Sequence, residues 1–373
     1  MARKFKVCII RTSSIGDVVL SSACLSMANN LGVDIVWLGK DPALPLLQAA
    51  HPNHKFFDFK DLEPRHAFDR IITEHGRLDG VLDLQMNIRS RLFMRTASRL
   101  GIPTASVDKF HFLRMLEVAK GWVRHRNIKK QEFEPNDQSF FQYKAMLNAF
   151  EGLLIRLGMD QLNTTRAKLE SYPNLNLLRE SRFSSHWLND LKFGTWLAVA
   201  PGAAHDTKRC PTEVWIEMLT QIKKQQTSNA PLGLLMLCGV SERSLTVSLT
   251  DKLNWNGPVL NLAGKLTLIE SAHALSQSAC LLTNDSGLLH IAEAVDTPVA
   301  AVFGPTSEEF GFPPWKKNSI VASSQIGCRP CSKHGSLPCR FNDKLCYYGI
   351  DVVRLSDFAT HNVSNKLTIG SVT

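Results

Sequence analysis

The chain has 373 residues, which is too long for one ordinary hydrophobic core and favours two domains. Hydrophobic residues make up 44% of it, as in a typical globular protein, and no apolar run is long enough to cross a bilayer. The formal net charge is +9, and the first residues lack a signal-peptide cleavage pattern. We therefore expect a cytoplasmic protein whose nine cysteines are reduced or bind a metal.

Short apolar runs alternate with helical patterns in the first half of the chain. Strands are predicted over residues 6–12, 33–38, 56–59 and 78–84, and helices over 15–30 and 89–100. This rhythm is typical of a parallel sheet with helices on both faces. A further helix is predicted over 140–157, and the polar, proline-containing stretch around 160–174 is predicted to connect two domains.

A basic segment covers residues 109–130. Seven lysines and arginines stand there against one acidic residue, Glu117, a local net charge of +6, and large apolar residues such as Phe110 and Trp122 lie among them. This mixture suits an anionic membrane surface or an anionic, partly apolar substrate. A solvated helix with one core-facing stripe explains it equally well. Nucleic acid is not expected as a partner, because no nucleic-acid-binding motif accompanies the charge.

The second half of the chain starts a new alternation. Strands are predicted over 196–200, 232–238, 259–262, 280–283, 299–303 and 319–322, and helices over 211–225, 241–253, 267–279, 287–295 and 352–367. We therefore predict a second doubly wound α/β domain. Two such domains facing each other leave a cleft at the carboxyl ends of their strands, where ligands bind in open α/β sheets.

A small-residue turn in WLAVAPGAAHDTKRCPTEVW links a predicted strand to a helix. Thr207 and Lys208 precede that helix and could supply a hydroxyl and an ammonium to phosphate oxygens. The stretch is not a Walker loop, since the G-x-x-x-x-G-K spacing is missing. A plain turn with a solvated lysine is the alternative explanation.

The stretch TNDSGLLHIAEAV follows another buried strand. Ser286 and Gly287 open a predicted helix whose backbone N–H groups form an anion site, and His290 lies one turn further on. Asp285 would face the hydroxyls of a ligand, because a carboxylate repels phosphate but accepts hydrogen bonds from sugars. Helix capping by Asp285 or Ser286, with His290 as a core residue, explains the pattern equally well.

Two further stretches carry candidate ligand-binding residues. Glu242 in LCGVSER follows a strand and could accept from ribose hydroxyls or cap a helix. Four cysteines at C-x2-C-x7-C-x6-C spacing could hold structural zinc or an iron–sulfur cluster, or stay reduced: Cys328, Cys331, Cys339 and Cys346. No G-x-G-x-x-G follows a strand, which counts against a nicotinamide enzyme.

Together these stretches resemble the bacterial ADP-heptose:lipopolysaccharide heptosyltransferases, glycosyltransferase family 9. The resemblance runs in order over most of the chain and is carried by RTSSIGDVVLSS, LDLQMNIRSRL, PGAAHDTKRCP, AGKLTLIE and TNDSGLLHIAEAVDTPVAAVFGPT. The cysteine run that begins with CRPC looks like the tail of the heptosyltransferase II branch, which the chain resembles most.

The resemblance implies the GT-B fold: α/β, with two facing Rossmann-like doubly wound domains and an interdomain cleft. An acceptor-binding domain is expected over residues 1–170 and a nucleotide-sugar-binding domain over 171–350. A C-terminal helix over 351–373 is expected to return to the first domain. The implied protein is cytoplasmic and peripheral at the anionic inner-membrane surface. Its implied reaction is inverting and metal-independent transfer of a heptose from ADP-heptose to a lipopolysaccharide core acceptor.

The resemblance also assigns residues. Asp17, a charge among small and apolar residues, matches the family aspartate that removes the proton of the acceptor hydroxyl; the helix dipole would keep it ionised, so that it acts by position. Lys208 matches the lysine that neutralises the departing diphosphate in place of a metal. The nucleotide-sugar is expected at Thr207, Glu242, Asp285, Ser286, Gly287 and His290, and the acceptor at Arg89 and Arg91.

Other function classes stay open on the sequence. One alternative is a transferase of the same fold that uses another nucleotide-sugar, and a second is a sugar-nucleotide epimerase or hydrolase. A third is a non-catalytic protein that binds a sugar-nucleotide or a metal. The presence of Asp17, Lys208 and Asp285 in one chain favours catalysis, because binding alone needs no base.

Overall fold

The computed structural model describes residues 4–59, 63–108, 111–123, 128–132, 141–179, 187, 191, 194–226 and 231–370. They fall into two compact units. One unit consists of Met1–Lys109 and Gln142–Leu178, and the other of Phe110–Phe141 and Arg179–Thr373. Within the described residues, no helix combines the length and the apolar character that crossing a membrane requires.

The helices and strands follow one another in α/β alternation. In chain order the described strands are β1 (Lys6–Ile10), β2 (Asp34–Gly39), β3 (Lys55–Asp58), β4 (Gly80–Asp83), β5 (Thr104–Ser106), β6 (Ile128–Glu132), β7 (Trp196–Ala200), β8 (Gly233–Met236), β9 (Val259–Asn261), β10 (Cys280–Asn284), β11 (Val299–Phe303) and β12 (Ile320–Ile326). The described α-helices are α1 (Ile15–Leu31), α2 (Ala43–Ala50), α3 (Pro64–His75), α4 (Ile88–Arg99), α5 (His111–Val123), α6 (Gln142–Arg156), α7 (Gln161–Leu169), α8 (Thr212–Gln225), α9 (Arg243–Leu253), α10 (Leu268–Gln277), α11 (Gly287–Ala294) and α12 (Val352–Gly370).

The first unit is built on a five-stranded parallel sheet in the order β3-β2-β1-β4-β5. Its central strand β1 is a continuous apolar run that is fully buried from Val7 to Ile10, as expected for a parallel strand covered on both faces. Helix α1 follows β1 directly and ends at Gly32, whose φ of 68° is a left-handed conformation that glycine adopts without strain. This connection places Asp17 at the carboxyl end of β1.

The second unit is built on a seven-stranded sheet in the order β6-β12-β11-β10-β7-β8-β9. Six of the strands are parallel, and β6 is antiparallel to β12 at the edge, with Ser324 opposite Lys130. Strands β7 and β10 are neighbours in the middle of the sheet, with Leu197 opposite Cys280. The turns that follow these two strands therefore meet at one edge of the sheet.

The two compact units differ from the division at residue 170 that the sequence suggested. The segment Phe110–Phe141 groups with the second unit because its strand β6 pairs with β12, which lies almost two hundred residues further along the chain. The last helix was expected to return to the first domain, and α12 groups with the second unit. Leu355, Ala359 and Val363 form an apolar stripe on α12 that packs with Trp215 and Met218 of α8 in the core of the second unit.

Candidate active site

A fixed carboxylate stands at the first turn of α1 in the first unit. Asp17 Oδ2 accepts hydrogen bonds from the backbone N–H and the hydroxyl of Ser14 at 3.3 and 2.8 Å, and it pairs with Nη2 of Arg11 at 2.7 Å. Arg11 is buried, and its Nη1 donates to the carbonyl of Leu84. Arg11 and Ser14 together hold the carboxylate of Asp17 in one orientation.

The turn that carries Asp17 is held by the loop after β4. Gln85 Oε1 accepts from the backbone N–H groups of Thr12 and Ser13 at 2.9 and 3.1 Å. Asp83 in turn holds that loop, since its Oδ1 accepts from the N–H groups of Gln85 and Met86 at 2.8 and 2.9 Å. The sequence analysis missed both residues, although a carboxylate closing a buried strand was a usable signal.

The two arginines predicted to bind an acceptor lie in the first turn of α4, directly after the same loop. Arg89 is half-buried, with its guanidinium 4.3 Å from the centre of the Phe59 ring, and Arg91 is exposed. Asn87 caps the helix by accepting from the N–H of Ser90 at 2.8 Å. The loop that contains Gln85 leads into α4, which carries the two arginines, and Gln85 also holds the turn that carries Asp17.

In the second unit, Lys208 and Asp285 form an ion pair across two turns. Lys208 Nζ lies 2.6 Å from Asp285 Oδ2, which also accepts a hydrogen bond from Thr306 Oγ1 at 2.8 Å. Burial alone would raise the pKa of Asp285, but the Lys208 ammonium, the hydrogen bonds from Lys208 and Thr306 and the nearby His290 lower it below its ordinary value. The site therefore holds a charged carboxylate.

Pairing of β7 with β10 creates this arrangement. Asn284, at the end of β10, is fully buried, and its Nδ2 donates to the carbonyls of Pro201 and Gly202 at 2.6 and 3.3 Å. Its Oδ1 accepts from the backbone N–H of Cys210 at 3.2 Å. One amide side chain thus fixes the turn that carries Lys208 against the turn that carries Asp285. Sequence reasoning did not single out Asn284.

Helix α11 begins directly after this pair. Ser286 is its N-cap residue, with Oγ 3.2 Å from Thr283 Oγ1, and Gly287 is the first helical residue. His290 is buried one turn later, with its ring parallel to that of Trp315 at a centroid distance of 6.2 Å. The eight-residue helix thus directs its first N–H groups toward the edge of the sheet that holds Lys208 and Asp285.

Glu293 fixes the loop that carries Trp315. Its two carboxylate oxygens accept from the backbone N–H groups of Trp315 and Lys316 at 2.8 and 3.0 Å. The side chain is fully buried, and this burial outweighs the hydrogen bonds and raises the pKa of Glu293 to about 8. The sequence analysis did not single out this residue.

Comparison with known proteins bears on this site. The model of glycosyltransferase family 9 (heptosyltransferase) matches residues 162–339, a stretch that contains Lys208 and Asp285. We call this matched stretch the family 9 domain. The resemblance inferred from the motifs is thereby confirmed. The family 9 domain includes strands β7–β12 and the turns that follow them.

A curated relative matches over a short stretch. Lipooligosaccharide heptosyltransferase 2 of Haemophilus influenzae is 44% identical over 62 residues, which is 17% of this chain and 18% of the relative. The chain thus matches less than a fifth of the length of that relative in sequence.

Two solved structures match over nearly their whole length. ADP-heptose lipopolysaccharide heptosyltransferase II of Escherichia coli has a TM-score of 0.63 at 17% identity, covering 97% of this chain and 99% of its own. A family 9 glycosyltransferase of Veillonella parvula has a TM-score of 0.64 at 16% identity, covering 98% and 99%. At this level of identity the likeness establishes the fold, and it confirms the predicted GT-B class of two Rossmann-like α/β units.

Two other residues of the family 9 domain that were predicted to bind the nucleotide-sugar have partners within the protein. The Thr207 hydroxyl donates to the carbonyl of Gly335. Glu242 Oε1 pairs with Arg209 Nη2 at 3.2 Å, and its Oε2 accepts from the N–H of Gly239 at 3.1 Å. The carboxylate also lies against Gly202, where an added Cβ would come within 2.4 Å of Oε2. Glu242 therefore lies beside the turn that follows β7.

The four cysteines lie in a loop-rich segment after β12. Among the residues that the structure describes, which include all four, no group of three or more histidine, cysteine or acidic side chains could hold a metal ion. Burial raises the pKa of Cys331 to about 11 and of Cys346 to about 12. Burial would also raise the pKa of Cys339, but the backbone N–H groups of residues 341–344 donate to its sulfur and lower it.

Proposed function

We propose that this protein is an inverting glycosyltransferase that moves a heptose from ADP-heptose to the inner core of a lipopolysaccharide without a catalytic metal. The observation that carries the proposal is the largely buried Lys208–Asp285 pair at the carboxyl ends of β7 and β10, beside the start of α11 and inside the family 9 domain. This is the edge at which open α/β sheets bind nucleotides.

The second unit supplies the donor site in this proposal. The first N–H groups of α11 and the ammonium of Lys208 bind the diphosphate, and Asp285 accepts from hydroxyls of the sugar. Glu242 accepts from the ribose. Negative charge grows on the diphosphate as its bond to the anomeric carbon breaks. A largely buried ammonium stabilises that charge more strongly than one in water would, and this is the catalytic contribution of Lys208.

The first unit supplies the acceptor site. Asp17 takes the proton of the acceptor hydroxyl while the hydroxyl oxygen bonds to the anomeric carbon, on the face opposite the diphosphate. ADP leaves with the electrons of the broken bond. Arg11 and Ser14 hold the carboxylate in one orientation. Arg89 and Arg91 bind phosphate or carboxylate groups of the acceptor. A lipopolysaccharide acceptor puts the enzyme in the cytoplasm, at the inner-membrane surface.

The experiment is transfer by the Asp17→Asn variant. An asparagine oxygen still accepts from Ser14 and Arg11, so the fold and ADP binding are expected to persist. The rate of transfer should fall by about 10²–10⁴-fold, the usual contribution of a general base. The exposed carboxylate of Asp69 in α3 provides the matched control, Asp69→Asn, with unchanged transfer. Normal turnover by Asp17→Asn would remove this base from the mechanism.

Donor and acceptor are identified by mass spectrometry of the products. The wild-type protein is incubated with a panel of nucleotide-sugars and with truncated lipopolysaccharide cores. Transfer from ADP-heptose alone supports the proposal. Transfer from a different nucleotide-sugar would retain the mechanism and replace the substrate, and sugar-nucleotide hydrolysis or epimerisation without an acceptor would replace the reaction.

A further inference from the structure

Large apolar side chains are exposed on α5 and on the cysteine segment beside it, both in the second unit. We call this set the apolar face. Its members are between 40 and 63% exposed: Met115, Leu116, Trp122, Leu337 and Phe341. Exposed large apolar groups in one place, in contrast to single ones, mark a surface that binds something.

Helix α5 is held so that this face points outward. Its inner side carries Arg114, which is buried with its guanidinium 5.4 Å from the Phe312 ring centre, and Gly121, where an added Cβ would lie 2.4 Å from the carbonyl of Pro330. Met115 and Trp122 are seven residues apart, two turns along a stripe that lies about 100° around the helix from Arg114 and Gly121. The packing of the inner side therefore fixes the exposure of the outer side.

Contacts at Trp122 hold the end of α5 against the cysteine segment. Trp122 Nε1 donates to the carbonyl of Cys331 at 2.9 Å, and Arg340 Nη1 donates to the carbonyl of Trp122 at 2.8 Å. The Arg340 guanidinium lies 5.3 Å from the Trp122 ring and 5.1 Å from the Phe341 ring. An arginine thus sits between two exposed aromatic rings, within reach of an anionic surface.

We propose that the apolar face docks on an anionic lipid bilayer. Aromatic and aliphatic side chains interleaved with lysine and arginine are the composition of interfacial membrane-binding helices. Each cation near an anionic leaflet adds attraction, and the net charge of the chain is +9. Charge complementarity selects lipid over a second copy of this chain, because two copies would bring the same cations together. The proposal rests on the proposed function for its setting, a membrane-embedded acceptor.

The test is co-sedimentation with vesicles of phosphatidylcholine alone or mixed with phosphatidylglycerol, without any sugar substrate. The wild-type protein should sediment with the anionic vesicles, and less so as salt is raised. Substituting Met115→Ser and Phe341→Ser together should lower the partition coefficient by about tenfold or more, because both side chains lose apolar area that the bilayer would bury. Lys120 is an exposed cation of α5 that pairs with Glu117 at 2.6 Å, and Lys120→Gln should weaken binding to the anionic vesicles only.

The matched control is Leu162→Ser with Leu169→Ser, two exposed leucines on α7 of the first unit. These changes should leave sedimentation unaltered. Equal sedimentation of the Met115/Phe341 variant and the wild type would overturn the proposal, and so would failure of the wild type to bind anionic vesicles at low salt. Self-association that the same variant abolishes, without vesicle binding, would assign the face to a second copy. Vesicle binding and sugar transfer are measured separately, so each proposal can fail alone.

Discussion

Removing the ammonium of Lys208 is the most informative perturbation of the second unit. Lys208→Met keeps an unbranched stem, which matters because the wild-type stem packs against Gly335, where an added Cβ would meet Cγ of Lys208 at 2.6 Å. The change leaves Asp285 buried without its cation and with the hydroxyl of Thr306 still donating. It therefore tests the ion pair with little change in shape.

The structure sets the size of the effect. At an Nζ–Oδ2 distance of 2.6 Å the attraction amounts to about 6 kcal/mol for an effective dielectric constant of about 20, before the cost of desolvation. The side chains are only 16% and 10% exposed, so water screens the pair weakly. Losing one partner of such a pair costs about 3–5 kcal/mol. We expect a decrease of that size in the free energy of unfolding at neutral pH.

The pH dependence distinguishes an ion pair from simple packing. In the wild type the pKa of Asp285 is lowered, so its contribution to stability is present above the ordinary carboxyl pKa and is lost as the pH falls through the folded value. In Lys208→Met, burial dominates and raises the pKa of Asp285, so the folded protein loses stability as the pH rises and this carboxyl must ionise. The stability gap between the two proteins should therefore widen from about pH 4 toward neutrality.

The assay is urea unfolding at several pH values, combined with ADP titration by calorimetry. The double variant Lys208→Met/Asp285→Asn should recover part of the lost stability, because no buried charge is left unpaired. Its affinity for ADP should stay reduced, since the proposed ligand of the diphosphate is still missing. A stability gap that does not change with pH would refute the ion-pair argument. Recovery of ADP affinity in the double variant would refute the diphosphate role.

Two further predictions concern other titrating groups of the same unit. Because burial raises the pKa of Glu293 to about 8, folding takes up a proton between its unfolded and folded pKa values. As the pH rises through this window, the free energy of unfolding should fall by up to about 1.4 kcal/mol per pH unit, and Glu293→Gln should flatten this dependence. Parallel plots of the free energy of unfolding against pH for the two proteins would contradict this. Iodoacetamide at neutral pH should label Cys339 before Cys331 or Cys346, as read by peptide mass spectrometry, since its pKa is the lowered one. Protection of all three, together with zinc or iron in elemental analysis of anaerobically purified protein, would reverse this prediction.

Central elements were predictable from the sequence because they are specified locally. Strand β7 is apolar throughout, and β1 and β10 each contain a run of at least three apolar residues. Helix α1 follows a short run of small residues, and Gly32 marks its C-terminal end. Strand β6 was missed because its sequence, IKKQE, is polar and its conformation depends on pairing with β12. Helices α2 and α3 were missed as well: one is short and largely apolar, the other largely polar.

The site was predictable in its residue types and less so in its contacts. The sequence identified Lys208 and Asp285 separately, but their contact depends on the pairing of β7 with β10, which no local pattern encodes. Asn284 and Thr306, which hold the pair, act only through hydrogen bonds across the fold. Thr207 shows the opposite case, since its predicted phosphate-binding hydroxyl donates to a carbonyl of the protein. The interdomain cleft stays a prediction.

The two units use the same electrostatic arrangement. Each has a carboxylate just past a central parallel strand, paired with a cation at 2.7 or 2.6 Å and hydrogen-bonded to a hydroxyl: Asp17 with Arg11, and Asp285 with Lys208. A carboxylate held in this way accepts hydrogen bonds from neutral hydroxyls, which is the chemistry that a sugar presents. In the proposed mechanism Asp17 acts as a weak base, so its contribution comes from its fixed position beside the acceptor hydroxyl. Loosening the Arg11 contact should therefore impair transfer more than it impairs the binding of either substrate.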